Sequence, residues 1–222
     1  MDERHIIYPD QQNYEKAFQL AFSIAREKLA AITDIEEQCR KAGARYEQVD
    51  GRITAVVAYL NQFYRIHIPD GEISPGDDSD PLNKRDGLII LHYFLTANGK
   101  PPAGKLITFR ELPDGSIYQP TFAKRTIQPL VNNFGREAHS LLLYSQRMGG
   151  YKADYGDTAI TINAFSKVPV TFVVWQGDDE FASQGNVLFD AGINDYLPTE
   201  DITVLCEIIA WRLVKSMTTG TL

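Results

Sequence analysis

Four carboxylates close two apolar, strand-like runs late in this chain. Asp178, Asp179 and Glu180 follow Val170-Thr171-Phe172-Val173-Val174-Trp175 after Gly177, and Asp190 closes Val187-Leu188-Phe189. Two strand ends that present carboxylates have the donors for a hard divalent cation such as Mg2+ or Ca2+, which takes oxygen ligands. A cation held there could activate water for hydrolysis. The EF-hand spacing is not met: counted from Asp190, the third position is Gly192, the sixth Asp195 and the twelfth Asp201. The competing reading is a set of solvated turn acids and helix caps, for which Asp is well suited.

A second set of residues could line a pocket. His92 lies in Leu88-Ile89-Ile90-Leu91-His92-Tyr93-Phe94-Leu95, where an imidazole must find a partner or stay neutral. It reads either as a hydrogen-bonded core histidine or as a base or axial ligand to a haem or corrinoid-type tetrapyrrole. In Phe109-Arg110-Glu111-Leu112, strand alternation would force one charged residue to share a face with a large apolar one. That charge either lines a pocket or pairs across the sheet. Together with Tyr118 and Tyr196, the residues His92, Arg110 and Glu111 form the expected binding set for a small ligand, a cofactor or a protein partner. No nucleophile elbow, phosphate loop, HExxH helix or dinucleotide fingerprint accompanies them.

Charge is unevenly placed. Residues 154–201 hold nine acids against Lys167 alone, a sum of −8, while the whole 222-residue chain carries −7. An acidic segment interleaved with Trp175, Phe181 and Tyr196 reads either as a docking rim for a basic protein or as a solubilising surface. The absence of any Lys/Arg cluster argues against nucleic acid as the main partner. No run approaches the roughly 20 apolar residues of a membrane helix, and Met1-Asp2-Glu3-Arg4-His5 has no apolar signal core behind it. A cytoplasmic protein is expected. Cys39 and Cys206 are too few for a thiolate zinc site or an iron–sulfur cluster.

The elements that must position these residues follow from periodicity and punctuation. Tyr14–Leu29 carries two apolar stripes, Phe18, Phe22, Ala25 and Leu29 on one and Ala17, Leu20, Ala21 and Ile24 on the other, so a well-buried helix is expected. Thr33 and Glu36 have capping-box spacing for a helix over 34–42 that stops at Gly43. Asp50-Gly51 and Asp70-Gly71 mark turns, the first between strands 45–49 and 52–59. Asp80-Pro81 should open a core helix over 81–98 that stops at Asn98-Gly99. Asp114-Gly115 should join strands 106–112 and 116–118 in another hairpin. Helices are expected over 122–134, broken near Pro129, and over 136–148, with a strand-rich stretch before a last helix over 199–216 that opens on Glu200 and Asp201. Hairpins mixed with helices, without regular βαβ alternation, indicate one α+β domain on antiparallel sheet, with an N-terminal helical segment over 1–44 and the body over 45–222.

Five segments together resemble a known family: Leu91-His92-Tyr93, Phe109–Leu112, Trp175-Gln176-Gly177-Asp178-Asp179-Glu180-Phe181, Asn186–Asp190 and Tyr196-Leu197-Pro198-Thr199-Glu200-Asp201. In order and combination they are similar to an uncharacterised prokaryotic domain of unknown function widespread in anaerobic bacteria. The likeness spans about residues 35 to 215. Some members of that family are joined to cysteine-rich iron–sulfur segments, a pattern from which Cys39 and Cys206 depart. The resemblance implies an accessory role in anaerobic metal, corrinoid or electron-transfer metabolism, and it supplies no catalytic residue.

Overall fold

The computed structural model describes residues 9–219; the polar opening Met1–His5 lies outside them. Helix α1 (Pro9–Ala30) packs one stripe inward through Phe22, Ala25 and Leu29, while Leu20 and Ile24 of the second stripe stay exposed. The burial expected for both stripes therefore holds for one. In α2 (Ile35–Ala42) the cap is Asp34 in place of the expected Thr33–Glu36 box, because the Asp34 carboxylate itself accepts the Glu37 amide at 2.8 Å. Gly43 ends the helix at φ +61°, a conformation glycine adopts without strain.

Strands β1 (Arg45–Val49) and β2 (Arg52–Tyr59) form the expected hairpin, with Asp50 and Gly51 both at positive φ. β3 (Gln62–Ile68) and β4 (Ile73–Pro75) continue the meander. Helix α3 (Lys84–Thr96) starts later than Asp80-Pro81 because Asn83 caps it, accepting the Asp86 amide at 3.0 Å. Asp80 is instead turned toward Gln62 and Arg147.

The hairpin expected around Asp114-Gly115 does not form. After β5 (Leu106–Thr108), Thr108 and Glu111 make a capping box that turns the chain into a single 3-10 turn, 109–111. Asp114, at φ 56°, then leads into helix α4 (Gly115–Phe122). Phe109 is buried as it stacks 3.9 Å from Phe122, so the local capping geometry and the aromatic pair together outweigh the turn signal. A π-helical turn over 123–127 joins α4 to α5 (Gln128–Phe134). Pro129 has no N–H to donate into the preceding turn, and the helix widens there without breaking. Helix α6 (Ser140–Ser145) is shorter than the expected 136–148.

β6 (Tyr151–Ala153), β7 (Thr158–Phe165), β8 (Val168–Trp175) and β9 (Gln184–Asp190) complete a nine-stranded sheet of order β4-β3-β2-β7-β8-β9-β5, with β1 on β2 and β6 on β7. Every pairing is antiparallel. The fold is α+β, as the hairpin pattern indicates. β2 pairs β1 and β3 along its length but meets β7 at one residue pair, Tyr59 with Phe165, backed by the Leu60 amide donating to Ala164 O at 3.0 Å. Two half-sheets thus join at a narrow seam. Phe165 fills it, stacked 3.9 Å from Tyr93 and tilted against Tyr59 at 5.0 Å, between ring centroids.

Helix α7 (Thr199–Thr219) buries Ile202, Leu205, Cys206, Ile209 and Leu213 and is packed against α3. The two are cross-linked three times by polar pairs: Arg85–Glu207 at 3.0 Å, Asp86–Arg212 at 3.0 Å and His92–Asp201 at 2.8 Å. As α3 numbers rise from 86 to 92, their α7 partners fall from 212 to 201, so the helices run antiparallel.

Candidate functional site

The site begins with a buried charge. Asp86, in the first turn of α3, is 0 % exposed. Its Oδ1 accepts the Tyr59 hydroxyl at 2.6 Å and lies 3.0 Å from Arg212 Nη2. Its Oδ2 has no hydrogen-bond partner among the described residues. A buried carboxylate is tolerated when a cation and hydrogen bonds compensate it, and here Tyr59 and Arg212 supply both. Burial first, and then the Asp86 charge, push the Tyr59 hydroxyl well above its ordinary pKa, so it remains a neutral donor. The Arg212 guanidinium also stands 5.8 Å over the Tyr59 ring.

Arg212 is one wall of a cavity of about 490 Å³ between the β2–β3 turn, the 80–83 loop, the 146–148 turn and the end of α7. Arg147 and Lys215 are the other cations in its lining, and Asp80 is the wall carboxylate. Arg147 Nη2 lies 3.3 and 3.2 Å from the two Asp80 oxygens. Lys215 makes no ion pair among the described residues. The last turn of α7 contributes a partial negative charge, about half an elementary charge. Asp80 and Asp86 each offset one of the three cations, and the Lys215 charge that is left still exceeds that of the helix end. In a chain of net charge −7, this is a locally basic, concave and partly preformed place. Guanidinium forks suit carboxylate and phosphate oxygens, and a pinned fork loses less freedom on binding.

The five residues expected to line a pocket have separate local roles. His92 Nδ1 is 2.8 Å from Asp201 Oδ2. Glu111 accepts the Thr108 amide at 2.8 Å and its hydroxyl at 3.0 Å, which hold its carboxyl below the usual range. Arg110 and Tyr118 are exposed. Tyr196 is buried, donates to Lys100 O and is raised in pKa by that burial first and by the Asp195 charge second. None of the five lines the basic cavity.

The acidic strand ends are likewise engaged one at a time. Asp178 accepts the Phe181 and Glu180 amides at 2.7 and 2.9 Å, and these bonds lower its pKa. Asp190 accepts the amides of Ala103, Gly104 and Gly192, each at 2.8 Å. Among the described residues, no group of three or more His, Cys, Asp or Glu side chains is placed to hold a metal ion. Asp178, Asp179, Glu180 and Asp190 are thus not gathered into a ligand set, and backbone amides engage Asp178 and Asp190 separately. Much of the acidic segment is used internally in the same way. Asp195 binds Asn98 and Lys100, each at 2.8 Å, Asp157 takes the Gln176 amide, and Asp201 holds His92.

One consequence is a pH dependence at Asp195, whose pKa is lowered first by the Lys100 hydrogen bond and next by Asn98. A depressed folded pKa adds stability that is present above the unfolded value and is lost as pH falls through the folded one. Asp195→Asn is therefore expected to destabilise most at neutral pH, and the difference should vanish below the carboxylate range. Urea melts of both proteins at neutral and acidic pH check this; a difference that persists in acid contradicts it.

Asp86, Tyr59, Arg147, Arg212 and Lys215 are the residues that sequence reasoning passes over. Asp86 looks like an ordinary first-turn acid after its Asn83 cap. Arg212 carries the available signal: it interrupts Ile208-Ile209-Ala210-Trp211-Arg212-Leu213-Val214, the same kind of anomaly that singles out His92.

A family model described as a domain of unknown function, DUF3786, matches residues 34–212. The chain belongs to that family. The DUF3786 match begins at the Asp34 cap of α2 and ends at Arg212, so Lys215, at the rim of the basic cavity, lies beyond it. Three of the segments that carry the resemblance meet within this family region. His92 binds Asp201, the Thr199 hydroxyl donates to Pro113 O at 2.8 Å beside the 109–112 turn, and Tyr93 stacks 6.2 Å from Tyr196. No curated protein and no solved structure is significantly similar to the chain. Among the described residues, no helix is long and apolar enough to cross a membrane.

Proposed function

We propose that this chain is a binding domain for a small anionic ligand, one carrying a carboxylate or phosphate group, held in the cavity walled by Arg147, Arg212 and Lys215. The observation that carries this reading is the Arg212 guanidinium, pinned by the fully buried Asp86 and the Tyr59 ring while it lines open space. A solubilising charge has no need of such an anchor, whereas a recognition group gains from being held in place. A role as an accessory domain in anaerobic metabolism, implied by the resemblance, is compatible with a ligand of this class and belongs to the same proposal.

Isothermal titration with succinate and with inorganic phosphate tests it. Lys215→Met and Arg147→Met change exposed side chains and should leave the fold intact. Each is expected to weaken binding about tenfold or more, the size of one lost charge-assisted hydrogen bond. Bound anion should also raise the melting temperature of the wild type in proportion to its occupancy. Binding that is absent in the wild type, or equal in all three proteins, overturns the reading.

A further inference from the structure

We infer that Asp80 holds the place of one charge of the ligand, so that the cavity takes a small dianion and Asp80 acts as its built-in competitor. The inference rests on the anion-binding reading above and adds to it a charge class and a mode of control.

The Arg147–Asp80 contact is poorly made. A single nitrogen, Nη2, reaches both carboxylate oxygens, at 3.3 and 3.2 Å, where charge-assisted bonds run about 2.7–2.9 Å. The two side chains are 49 % and 52 % exposed, and water screens a pair so placed. Arg147 Nε and Nη1 donate no hydrogen bond among the described residues, so the fork is only half used.

By contrast, the backbone at Asp80 is firmly held. Its amide donates to Gln62 Oε1 at 3.0 Å, and its carbonyl accepts the Tyr64 hydroxyl at 3.2 Å. The carboxylate can leave Arg147 by side-chain rotation, at the cost of the 3.0 Å bond that Gln62 Nε2 donates to its Oδ2, while the loop stays in position.

Charge counting sets the ligand. With Asp80 on Arg147 and Asp86 on Arg212, Lys215 is the one lining cation with no acidic partner among the described residues. Once Asp80 is displaced, Arg147 joins it. Two positive charges then face the space, and a group carrying two negative charges answers both, whether a short dicarboxylate or a phosphate. A monoanion satisfies Lys215 alone and has less to offer in exchange for Asp80.

The test is a double-mutant cycle by isothermal titration on the full chain: wild type, Asp80→Asn, Arg147→Met and the double variant, each with succinate, inorganic phosphate and acetate. The asparagine amide keeps an oxygen for Gln62 while the charge is removed. Asp80→Asn is expected to bind a dianion roughly threefold to tenfold more tightly, the scale of one exposed ion pair plus a removed like charge. Acetate should change less, and the gain should disappear in the Arg147→Met background. Gain with succinate alone identifies a dicarboxylate, and gain with phosphate alone a phosphate group. If wild type binds a dianion and Asp80→Asn binds it no better, the competitor role is wrong and the anion site stands. If no form binds any of the three, the anion site itself is wrong.

Discussion

Arg212→Met is expected to lower the stability of this protein by about 3–5 kcal/mol, the cost of leaving a buried carboxylate without its cation. Asp86 is completely enclosed and already has one oxygen without a partner. After the substitution, only the Tyr59 hydroxyl would face its charge. The companion variant Asp86→Asn/Arg212→Met should recover much of the loss, because a neutral amide still accepts from Tyr59 and no longer demands a counter-ion. Arg147→Met supplies the contrast: its ion pair is half exposed on both sides, and about 0–1 kcal/mol is the expected effect. Urea denaturation of the four proteins at neutral pH measures all of this. A single Arg212→Met variant that unfolds at the wild-type midpoint would show that the buried pair is not coupled as the geometry implies.

The second large effect is at the seam of the sheet. Phe165→Ala removes the ring stacked on Tyr93 and packed against Tyr59 at the one residue pair where β2 meets β7. A buried Phe→Ala change costs about 3–5 kcal/mol. Here the loss should also change cooperativity, because little other hydrogen bonding bridges the half-sheets. Native-state hydrogen exchange is the discriminating measurement. In wild type, β2–β3 and β7–β8 amides should open together. In Phe165→Ala the β1–β4 half should exchange at lower free energy than the β6–β9 half. Uniform loss across both halves would mean that the helices, rather than the seam, hold the sheet together.

Local signals were legible where local chemistry decides the outcome. Asp50-Gly51 makes its hairpin, Gly43 its left-handed stop, and the apolar runs of α3 and α7 their buried helices. The turn at Asp114-Gly115 misleads because a positive φ serves a helix entry as well as a hairpin. The choice was made by Thr108, Glu111 and the Phe109–Phe122 stack. Asp80 misleads for a similar reason, since its carboxylate is drawn across the chain to Gln62 and Arg147. The basic cavity is less legible still. Its cations come from the 146–148 turn and the end of α7, its other walls from the β2–β3 turn and the 80–83 loop, and spacing along a chain cannot register a meeting of that kind. His92 and Arg212 both stand out as polar residues in apolar helices, yet their partners Asp201 and Asp86 read as ordinary first-turn acids.

The three polar ties between α3 and α7 also bear on how this protein is made. Asp86 and Arg212 are separated by 126 positions, the difference of their numbers. At a synthesis rate of about 5–20 residues per second, Asp86 is joined to the chain roughly 6 to 25 seconds before its guanidinium partner exists. During that interval the Asp86–Arg212 pair cannot form. The pair waits for one of the last turns of α7 to be translated.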